Sequence, residues 1–299
     1  MKPDVSVVIC VYDGADTLAT SLRSVCAQSF PRERYEVIVV DDGSTDDSAR
    51  IASQFDVELL RRPHRGLAAA KNTGWQAARG DWVAFTDDDC AATRHWLRYL
   101  RAAVDPANGA ERALGAAGRI VGFPLPQAVP RYVELTGGFN TDRHLQHPTF
   151  PYAPSGNVIY RREALVAVNG LDERYSSYES CDLHTRLRRR FGGAFRYEPR
   201  AVVLHRHYTT WRDYVRQQRG YGRGLAQFMW HYRHEVPWSA WRELRAWGDV
   251  VALAGAALVP VVGDGALLRR GNFLRHLALR VGFLETYFSR RERRRWSPG

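Results

Sequence analysis

Three consecutive aspartates are the residues of this sequence best suited to chemistry. Asp87, Asp88 and Asp89 directly follow the strand-forming run at residues 82–85. Because adjacent carboxylates repel one another, a bound cation is the simplest reason for such a run. Mg²⁺ and Mn²⁺ take oxygen ligands and commonly share them between protein carboxylates and a diphosphate. The run predicts a divalent metal site; a solvated turn that caps the helix of "ATRHWL" is the alternative.

The spacing of the three aspartates predicts different roles for them. Asp87 and Asp89 are two residues apart, so on an extended backbone they point the same way and both can approach one ion. Asp88 then points elsewhere and is free to accept a hydrogen bond from a sugar or ribose hydroxyl.

Polar residues also end two earlier apolar runs. "VSVVICV" is followed by Tyr12, and "YEVIVV" by Asp41 and Asp42. In parallel sheets, ligands bind beyond the carboxyl ends of the strands, so we expect these carboxylates to meet the aspartate run at one edge. Alternatively, Asp41 and Asp42 belong to a cap of the helix that follows "GSTDD".

The elements that position these residues alternate along the first ninety residues. The runs "VSVVICV", "YEVIVV", "VELL" and "DWVAF" are typical of strands, and "ADTLATSLRSVCAQ" and "GLAAAKNTGWQAA" of helices. This alternation predicts an α/β fold, with a parallel sheet covered by helices on both faces. Residues 137–151 predict an irregular loop.

The order of "VSVVICVYDG", "VIVVDDGSTDDS" and "GLAAAKNTGWQAARGDWVAFTDDD" resembles glycosyltransferase family 2 on a GT-A fold. The resemblance continues through "GNVIYRREALVAVNGLDERY", "YESCDLHTRL" and "AVVLHRH", and covers roughly residues 4–230. It implies a Rossmann-like, mostly parallel sheet in residues 1–209, with a nucleotide-sugar half (about 1–105) and an acceptor half (about 106–209). Residues 210–299 would form a basic, mainly helical C-terminal region.

The resemblance implies an inverting, metal-dependent transfer of a sugar from a nucleoside diphosphate sugar, with a UDP-sugar as the first candidate. Val11 and Tyr12 would line the nucleobase pocket. The resemblance also assigns nucleotide-sugar binding to Asp41, Asp42, Lys71, Asn72 and Asp88. Gly156 and Asn157 would shape the acceptor or donor-sugar pocket. The ion, Mn²⁺ or Mg²⁺, would be held by Asp87, Asp89 and His205. Alternatively, His205 has a structural role. His207 is a second candidate for the histidine ligand of the metal.

The general base is the position where the chain departs from the family. The family places an acidic pair at a helix start, and here "YESCDL" has Ser180 where the second acid falls. Glu179 is the first candidate for the base and Asp182 the second. Alternatively, Glu179 caps the helix and Asp182 pairs with an arginine. Ser180 also motivates a rival reading, a non-catalytic nucleotide-sugar-binding protein, and a nucleotidyltransferase is a weaker rival.

The net charge of +11 lies almost entirely in the last third of the chain. Residues 201–299 contain 17 Arg and no Lys against 7 acidic residues, so they carry +10. Anionic lipid, nucleic acid or a phosphorylated substrate could suit this part, or it is a solvated surface. No nucleic-acid-binding module is visible, so no such partner is predicted. The four dispersed cysteines argue against a zinc site and fit a reducing cytosol.

The C-terminal region combines this charge with Trp238, Trp241 and Trp247. Its apolar run at 250–263 is shorter than the ~20 residues of a spanning helix and predicts a core or interfacial helix. Tryptophan favours membrane interfaces, and the arginines at 269–270 and 290–295 suit anionic headgroups. We therefore predict a cytoplasmic enzyme in peripheral contact with the membrane, where a saccharide or lipid-linked cell-envelope acceptor is found. Packing of the tryptophans in a helical core is the alternative.

Overall fold

The computed structural model describes residues 2–108, 113–193, 195–260 and 262–296. The chain divides into two compact units. The first contains Met1–Phe123, Phe139–Arg174 and Glu179–Arg206, and the second contains Pro124–Gly138, Tyr175–Tyr178 and His207–Gly299. Two short segments that precede residue 209 therefore belong to the second unit.

An eight-stranded mixed sheet forms the centre of the first unit. Its strands are β1 Val5–Val11, β2 Tyr35–Asp41, β3 Glu58–Arg61, β4 Trp82–Asp87, β5 Cys90–Ala92, β6 Gly115–Gly122, β7 Asn157–Arg161 and β8 Phe195–His205. They lie in the order β3-β2-β1-β4-β7-β6-β8-β5. The first four strands of this order pair in parallel, as predicted, and β6 is parallel to β8. β7 is antiparallel to both of its neighbours, and β5 is antiparallel to β8.

Helices pack against both faces of this sheet, as the alternating pattern predicts. The helices of the first unit are α1 Ala15–Cys26, α2 Ser48–Ala52, α3 Leu67–Ala77, α4 Trp96–Ala103, α6 Thr141–Leu145, α7 Arg162–Ala167 and α8 Glu179–Phe191. Successive side chains of β1 separate into two cores: Val7 packs in the same cluster as Leu22 of α1, and Val8 packs with Leu183 of α8. The parallel strands β1, β2 and β4 are buried along almost their whole length, which explains their unbroken apolar sequences.

The expectation of an irregular loop at residues 137–151 is wrong for its central part, because α6 lies there. The side chain of Asn140 accepts a hydrogen bond from the backbone N–H of Arg143 and caps this short helix. The surrounding Gly, Asn and Pro residues have low helix propensity, so the sequence pattern did not indicate α6.

The second unit is helical, as predicted for the C-terminal region. Its helices are α5 Ala128–Leu135, α9 Trp211–His231, α10 Ala240–Leu258, α11 Asp264–Tyr287 and α12 Arg290–Trp296. α9 and α11 approach closely where glycines face the other backbone. A Cβ at Gly222 would lie 2.1 Å from the carbonyl oxygen of Leu279, and one at Gly282 would lie 2.0 Å from that of Arg219. Larger residues at either glycine would separate the two helices.

The three tryptophans of the C-terminal region have different environments. Trp238 stacks on Tyr287 and contacts Phe288 edge-on, so it is partly buried and packs against the core of the second unit. Trp247 is half-buried, whereas Trp241 on α10 is 75% exposed. The apolar run at 250–263 is mostly exposed and only Val250 is buried, although Val261 lies outside the described residues. Among the described residues, no helix is both long enough and apolar enough to cross a bilayer.

Candidate active site

The carboxyl end of β4 brings the predicted metal ligands together. β4 ends at Asp87 and β5 begins at Cys90, so the remaining two aspartates form the turn between them. β5 pairs with β8 in a register that places Cys90 opposite His205. One ligand atom from each of four side chains lies within 4.8 Å of the other three: Asp87, Asp89, Cys90 and His205. These four residues are called the four-donor cluster below.

Burial perturbs the protonation of this cluster and its neighbour. Burial and then the charge of Asp87 raise the pKa of Asp89 from 3.8 to about 7. Burial and the charges of the flanking aspartates also raise the pKa of Asp88 well above its usual value. Burial lowers the pKa of His205, which favours the neutral imidazole that binds metals. Carboxylates with a neutral imidazole fit Mn²⁺ or Mg²⁺, and a divalent cation would offset the repulsion.

Asp88 is not part of the four-donor cluster. A Cβ at Gly14 would lie 2.0 Å from Asp88 Oδ2, so the absence of a side chain lets the start of α1 approach this carboxylate. The carboxylates at 87 and 89 thus share the cluster while the one between them lies against a helix start. This arrangement agrees with the different directions that the spacing predicted.

A buried lysine joins the cluster to the predicted base. Lys71 of α3 is 2% exposed, and its Nζ donates to Glu179 Oε1 at 3.3 Å and to Ser155 Oγ. Burial alone would lower the pKa of Lys71, but the charges of Glu179 and Asp87 outweigh it, and the net shift is upward. Ser180 Oγ also donates to Glu179 Oε1 at 3.2 Å. Ser180, which stands where the family has its second acidic residue, therefore contacts the carboxylate of Glu179, the first candidate base.

Asp182, the second candidate base, is committed to another partner. Its carboxylate is fully buried and forms an ion pair with Arg186, at 2.7 Å from Nη2. The same arginine donates to the carbonyl oxygens of Val168 and Gly170. This is the arginine pair that the sequence left open as the alternative for Asp182. The geometry supports a structural role for Asp182, and Glu179 is the candidate base that remains.

The residues predicted for the nucleotide side of the site lie at the carboxyl ends of β1 and β2. Val11 is buried, whereas Tyr12 is 49% exposed, and its ring lies 4.1 Å from that of His64, centroid to centroid. Asp42 is buried and accepts a hydrogen bond from the backbone N–H of Gly66, the N-cap residue of α3, at 2.8 Å. Asp42 therefore holds the start of α3 rather than that of the nearer α2.

Asp42 and Asp41 also have charged partners. Arg62 Nε lies 3.3 Å and His64 Nδ1 2.9 Å from the carboxylate of Asp42. The fully buried Asp41 accepts from the backbone N–H of Ser44 at 2.8 Å and from Arg61 Nε at 3.1 Å. These bonds use much of the acceptor capacity of both carboxylates. An exposed aromatic ring over a histidine remains as the surface on which a nucleobase could stack.

The two predicted asparagines are part of the packing. The amide of Asn157 accepts from Trp96 Nε1 and donates to the carbonyl oxygens of Arg119 and Ala201. The amide of Asn72 accepts from Trp75 Nε1 and from the backbone N–H of Leu171. The structure thus places both side chains in buried hydrogen-bond networks, which leaves little capacity for a ligand.

Gly156 lies at the cluster itself. A Cβ there would lie 2.7 Å from Asp87 Oδ2 and 3.7 Å from Cys90 Sγ. The absence of a side chain keeps the space beside these two donors open.

A family model described as Glycosyl transferase family 2 matches residues 6–168, more than half of the chain. The chain belongs to glycosyl transferase family 2. The matched region runs from β1 through α7, so it contains the three consecutive aspartates, Lys71 and Gly156. It ends before Glu179 and His205, whose positions therefore depend on the structure and on the weaker later part of the resemblance.

Curated glycosyltransferases match different shares of the chain. The pre-mycofactocin glycosyltransferase of Mycobacterium tuberculosis is 36% identical over 236 residues, which are 75% of this chain and 47% of the relative. The glycosyltransferase AglE of Haloferax volcanii is 40% identical over 101 residues, which are 32% of this chain and 33% of the relative. The chain spans about half the length of the first relative and a third of the second.

Solved structures of two other glycosyltransferases share the fold. The mannosyltransferase PcManGT from Pyrobaculum calidifontis, in complex with GDP-Man and Mn²⁺, has a TM-score of 0.65 at 19% identity; 97% of this chain and 88% of that one are covered. Residues 1–349 of TarS from S. aureus, in complex with UDP-GlcNAc, have a TM-score of 0.52 at 18% identity, covering 94% and 90%. At these identities the likeness concerns the fold, and it confirms the predicted GT-A architecture.

The family resemblance missed four residues that the structure brings to the site. Cys90 joins the cluster, His64 and Arg62 contact Asp42, and Ser155 contacts Lys71. Cys90 could have been found because it directly follows the aspartate run. His64 and Arg62 follow β3, whose carboxyl end lies at the same sheet edge. No local signal marks Ser155.

Proposed function

We propose that this chain is a metal-dependent, inverting glycosyltransferase that moves a sugar from a nucleoside diphosphate sugar to an acceptor hydroxyl. The observation that carries the proposal is the position of Lys71, which contacts Glu179 and interacts electrostatically with Asp87 of the four-donor cluster. Sugar transfer from a diphosphate needs an acceptor for the hydroxyl proton and positive charge for the leaving group, and Lys71 lies between a candidate for each role.

Each residue has a defined task in this proposal. Asp87, Asp89 and His205 would hold Mn²⁺ or Mg²⁺, which supplies positive charge to the leaving diphosphate. Glu179 accepts the proton of the acceptor hydroxyl while the acceptor oxygen forms its bond to the anomeric carbon. The bond from that carbon to the diphosphate oxygen breaks on the opposite face, so the configuration inverts and the electron pair stays on the diphosphate. Lys71 positions the carboxylate of Glu179.

The donor is proposed to be a nucleoside diphosphate sugar, with UDP-sugars tested first. The TarS complexes with UDP and UDP-GlcNAc and the PcManGT complex with GDP-Man support this class without distinguishing its members. Tyr12 and His64 would contact the nucleobase, and Asp88 the ribose or the donor sugar. A thermal-shift series of UDP-, GDP- and dTDP-sugars with Mn²⁺ tests the donor, because stabilisation grows with ligand concentration over the dissociation constant.

Product analysis separates this function from its rivals. With donor, Mn²⁺ and an acceptor panel that includes saccharides, lipid-linked sugars and pre-mycofactocin, we expect release of the nucleoside diphosphate together with transfer or hydrolysis of the sugar. Glu179→Gln should slow this release by about 10²- to 10⁴-fold, whereas Glu163→Gln, at an exposed position of α7, should not change it. Donor binding without any release would favour the non-catalytic binding protein, and release of pyrophosphate would favour a nucleotidyltransferase.

We also propose that the second unit contacts an anionic membrane through α10. Its exposed side includes an apolar stripe at alternating three- and four-residue spacing, here called the α10 stripe: Trp241, Leu244, Gly248, Val251, Gly255 and Leu258. Val251 is 69% and Leu258 84% exposed. Large exposed apolar surfaces mark interaction sites, and tryptophan suits the level of the headgroups.

Charge favours a membrane as the occupant of this stripe. Arg242 and Arg245 are exposed on the same helix, and residues 201–299 carry +10. Basic residues beside an exposed apolar face are typical of interfacial helices on anionic lipid. A membrane location on the cytoplasmic side would bring a lipid-linked or cell-envelope acceptor to the enzyme.

Vesicle flotation tests the membrane contact. The protein should float with phosphatidylglycerol vesicles at low salt, less at high salt, and not with phosphatidylcholine alone. The double variant Val251→Glu, Leu258→Glu should lose flotation, and Val166→Glu, at an exposed position of α7, should keep it. Recovery of the unmodified protein only in the soluble fraction would contradict the proposal. Self-association that the double variant abolishes would instead assign the α10 stripe to a second copy.

A further inference from the structure

Cys90 occupies the four-donor cluster beside the carboxylates and the imidazole. It is buried, and its Sγ lies 3.7 Å from Asp89 Oδ1. A Cβ at Gly156 would contact both Cys90 Sγ and Asp87 Oδ2. The thiol and the carboxylate therefore face the same small space, on the side that the glycine leaves open.

A sulfur donor changes the metals that this cluster can hold. Mg²⁺ and Mn²⁺ prefer oxygen ligands, whereas thiolates bind Zn²⁺ and other softer ions. Zn²⁺ is usually complete with four protein ligands, and a catalytic zinc site keeps a position open by using three. Asp87, Asp89, Cys90 and His205 together offer four.

We propose that Cys90 is a fourth donor of this cluster and makes it a binding site for Zn²⁺ as well as for the activating ion. On binding, the thiol releases its proton to solvent and the thiolate forms a bond to the ion. With all four donors engaged, no position remains for a diphosphate oxygen, so Zn²⁺ inhibits by competing with Mn²⁺. This inference rests on the proposed metal site and adds to it a second class of ion and a form of regulation.

Co²⁺ is a suitable probe because its absorption reports sulfur ligation directly. Titration of the metal-free protein with Co²⁺ should produce a near-ultraviolet sulfur-to-cobalt charge-transfer band together with visible d–d bands. Cys90→Ser should lose the charge-transfer band and bind Zn²⁺ about 10- to 100-fold more weakly, while its affinity for Mn²⁺ changes little. Cys26→Ser, which changes a half-buried thiol on α1, is the matched control and should behave as the unmodified protein.

The Co²⁺ spectrum of the unmodified protein alone shows whether a cysteine sulfur binds the metal, so the test does not depend on how well the variants fold. Co²⁺ binding with d–d bands but no charge-transfer band overturns the role of Cys90 and leaves the metal site of the proposed function standing. Failure to bind either Co²⁺ or Mn²⁺ overturns the metal site itself. In turnover assays, inhibition by Zn²⁺ that excess Mn²⁺ reverses supports the inference, and inhibition that persists unchanged in Cys90→Ser contradicts it.

Discussion

Replacing Asp89 by asparagine should stabilise the metal-free protein and remove its stabilisation by Mn²⁺. The pKa of Asp89 is raised from 3.8 to about 7, first by burial and then by the charge of Asp87. Without a cation, the ionised form is therefore unfavourable in the folded state. Asparagine is similar in size to aspartate but cannot ionise, so it removes the repulsion and a metal ligand together.

The size of the effect follows from this pKa shift. One pKa unit corresponds to ~1.4 kcal/mol, so a shift of about three units corresponds to ~4 kcal/mol. The side chain of Asp89 is 32% exposed. Water therefore screens part of the repulsion, and we expect a gain of about 1–2 kcal/mol in the free energy of unfolding. For a chain of this length, that gain raises the thermal midpoint by about 2–3 °C.

The direction of the pKa shift determines how the stability difference between the two proteins changes with pH. The folded-state pKa lies above the unfolded-state value, so the protonated carboxyl contributes stability that is fully present below pH 3.8 and is lost as the pH rises through about 7. An asparagine at this position does not titrate, so this loss is absent from the variant. Its advantage over the unmodified protein should be small near pH 5 and largest near pH 8.

Thermal and urea unfolding of chelator-treated protein at several pH values measure the stability gained by Asp89→Asn. The same experiments with added Mn²⁺ measure the loss of stabilisation by the metal. Mn²⁺ should raise the midpoint of the unmodified protein and leave that of Asp89→Asn unchanged. Asp56→Asn, which alters a carboxylate that is 87% exposed, is the control and should show neither effect. A variant that is less stable than the unmodified protein at pH 8, or that Mn²⁺ stabilises equally, would refute the reasoning.

Three further predictions concern other residues of the site. Glu179→Gln should lower kcat by about 10²- to 10⁴-fold with little change in donor affinity, as measured by release of the nucleoside diphosphate. Asp182→Asn should lower the free energy of unfolding by about 3 kcal/mol, because it weakens the buried pair with Arg186, while turnover per folded molecule is retained. Asn157→Ala should cost about 2–4 kcal/mol in urea unfolding, because Trp96 Nε1 and two carbonyl oxygens lose their partner.

The parallel half of the sheet could be predicted from the sequence because its signals are local. β1, β2 and β4 are nearly continuous apolar runs, and each is followed by polar residues. Parallel pairing then brings Tyr12, Asp42 and Asp87 to one edge without further information. The antiparallel additions carry no comparable local signal: β7 joins β4 only through a pairing between segments about seventy residues apart.

The roles of individual polar residues at this edge were harder to predict. A polar residue at a strand end can bind a ligand or satisfy the protein itself, and the sequence does not show which. Asp182 is neutralised by Arg186, and Asn157 bonds to groups from α4, β6 and β8. Both outcomes depend on tertiary neighbours, which composition and spacing do not identify. The position of Cys90 depends on tertiary neighbours as well: the spacing of the cysteines argued against a zinc site and did not indicate that Cys90 lies beside two aspartates and a histidine.

Lys71 shows why the site works as one electrostatic unit rather than as separate motifs. Its ammonium is buried, which would be costly without compensating charge, and that charge comes from Glu179 and Asp87. Those two carboxylates belong to different tasks, because one is the candidate base and the other is a candidate metal ligand. A cation at the cluster would compete with Lys71 for Asp87 and thereby strengthen the hold of Lys71 on Glu179. Under the proposed function, metal binding and the position of the base would be coupled through this one side chain, and neither motif alone indicates such a coupling.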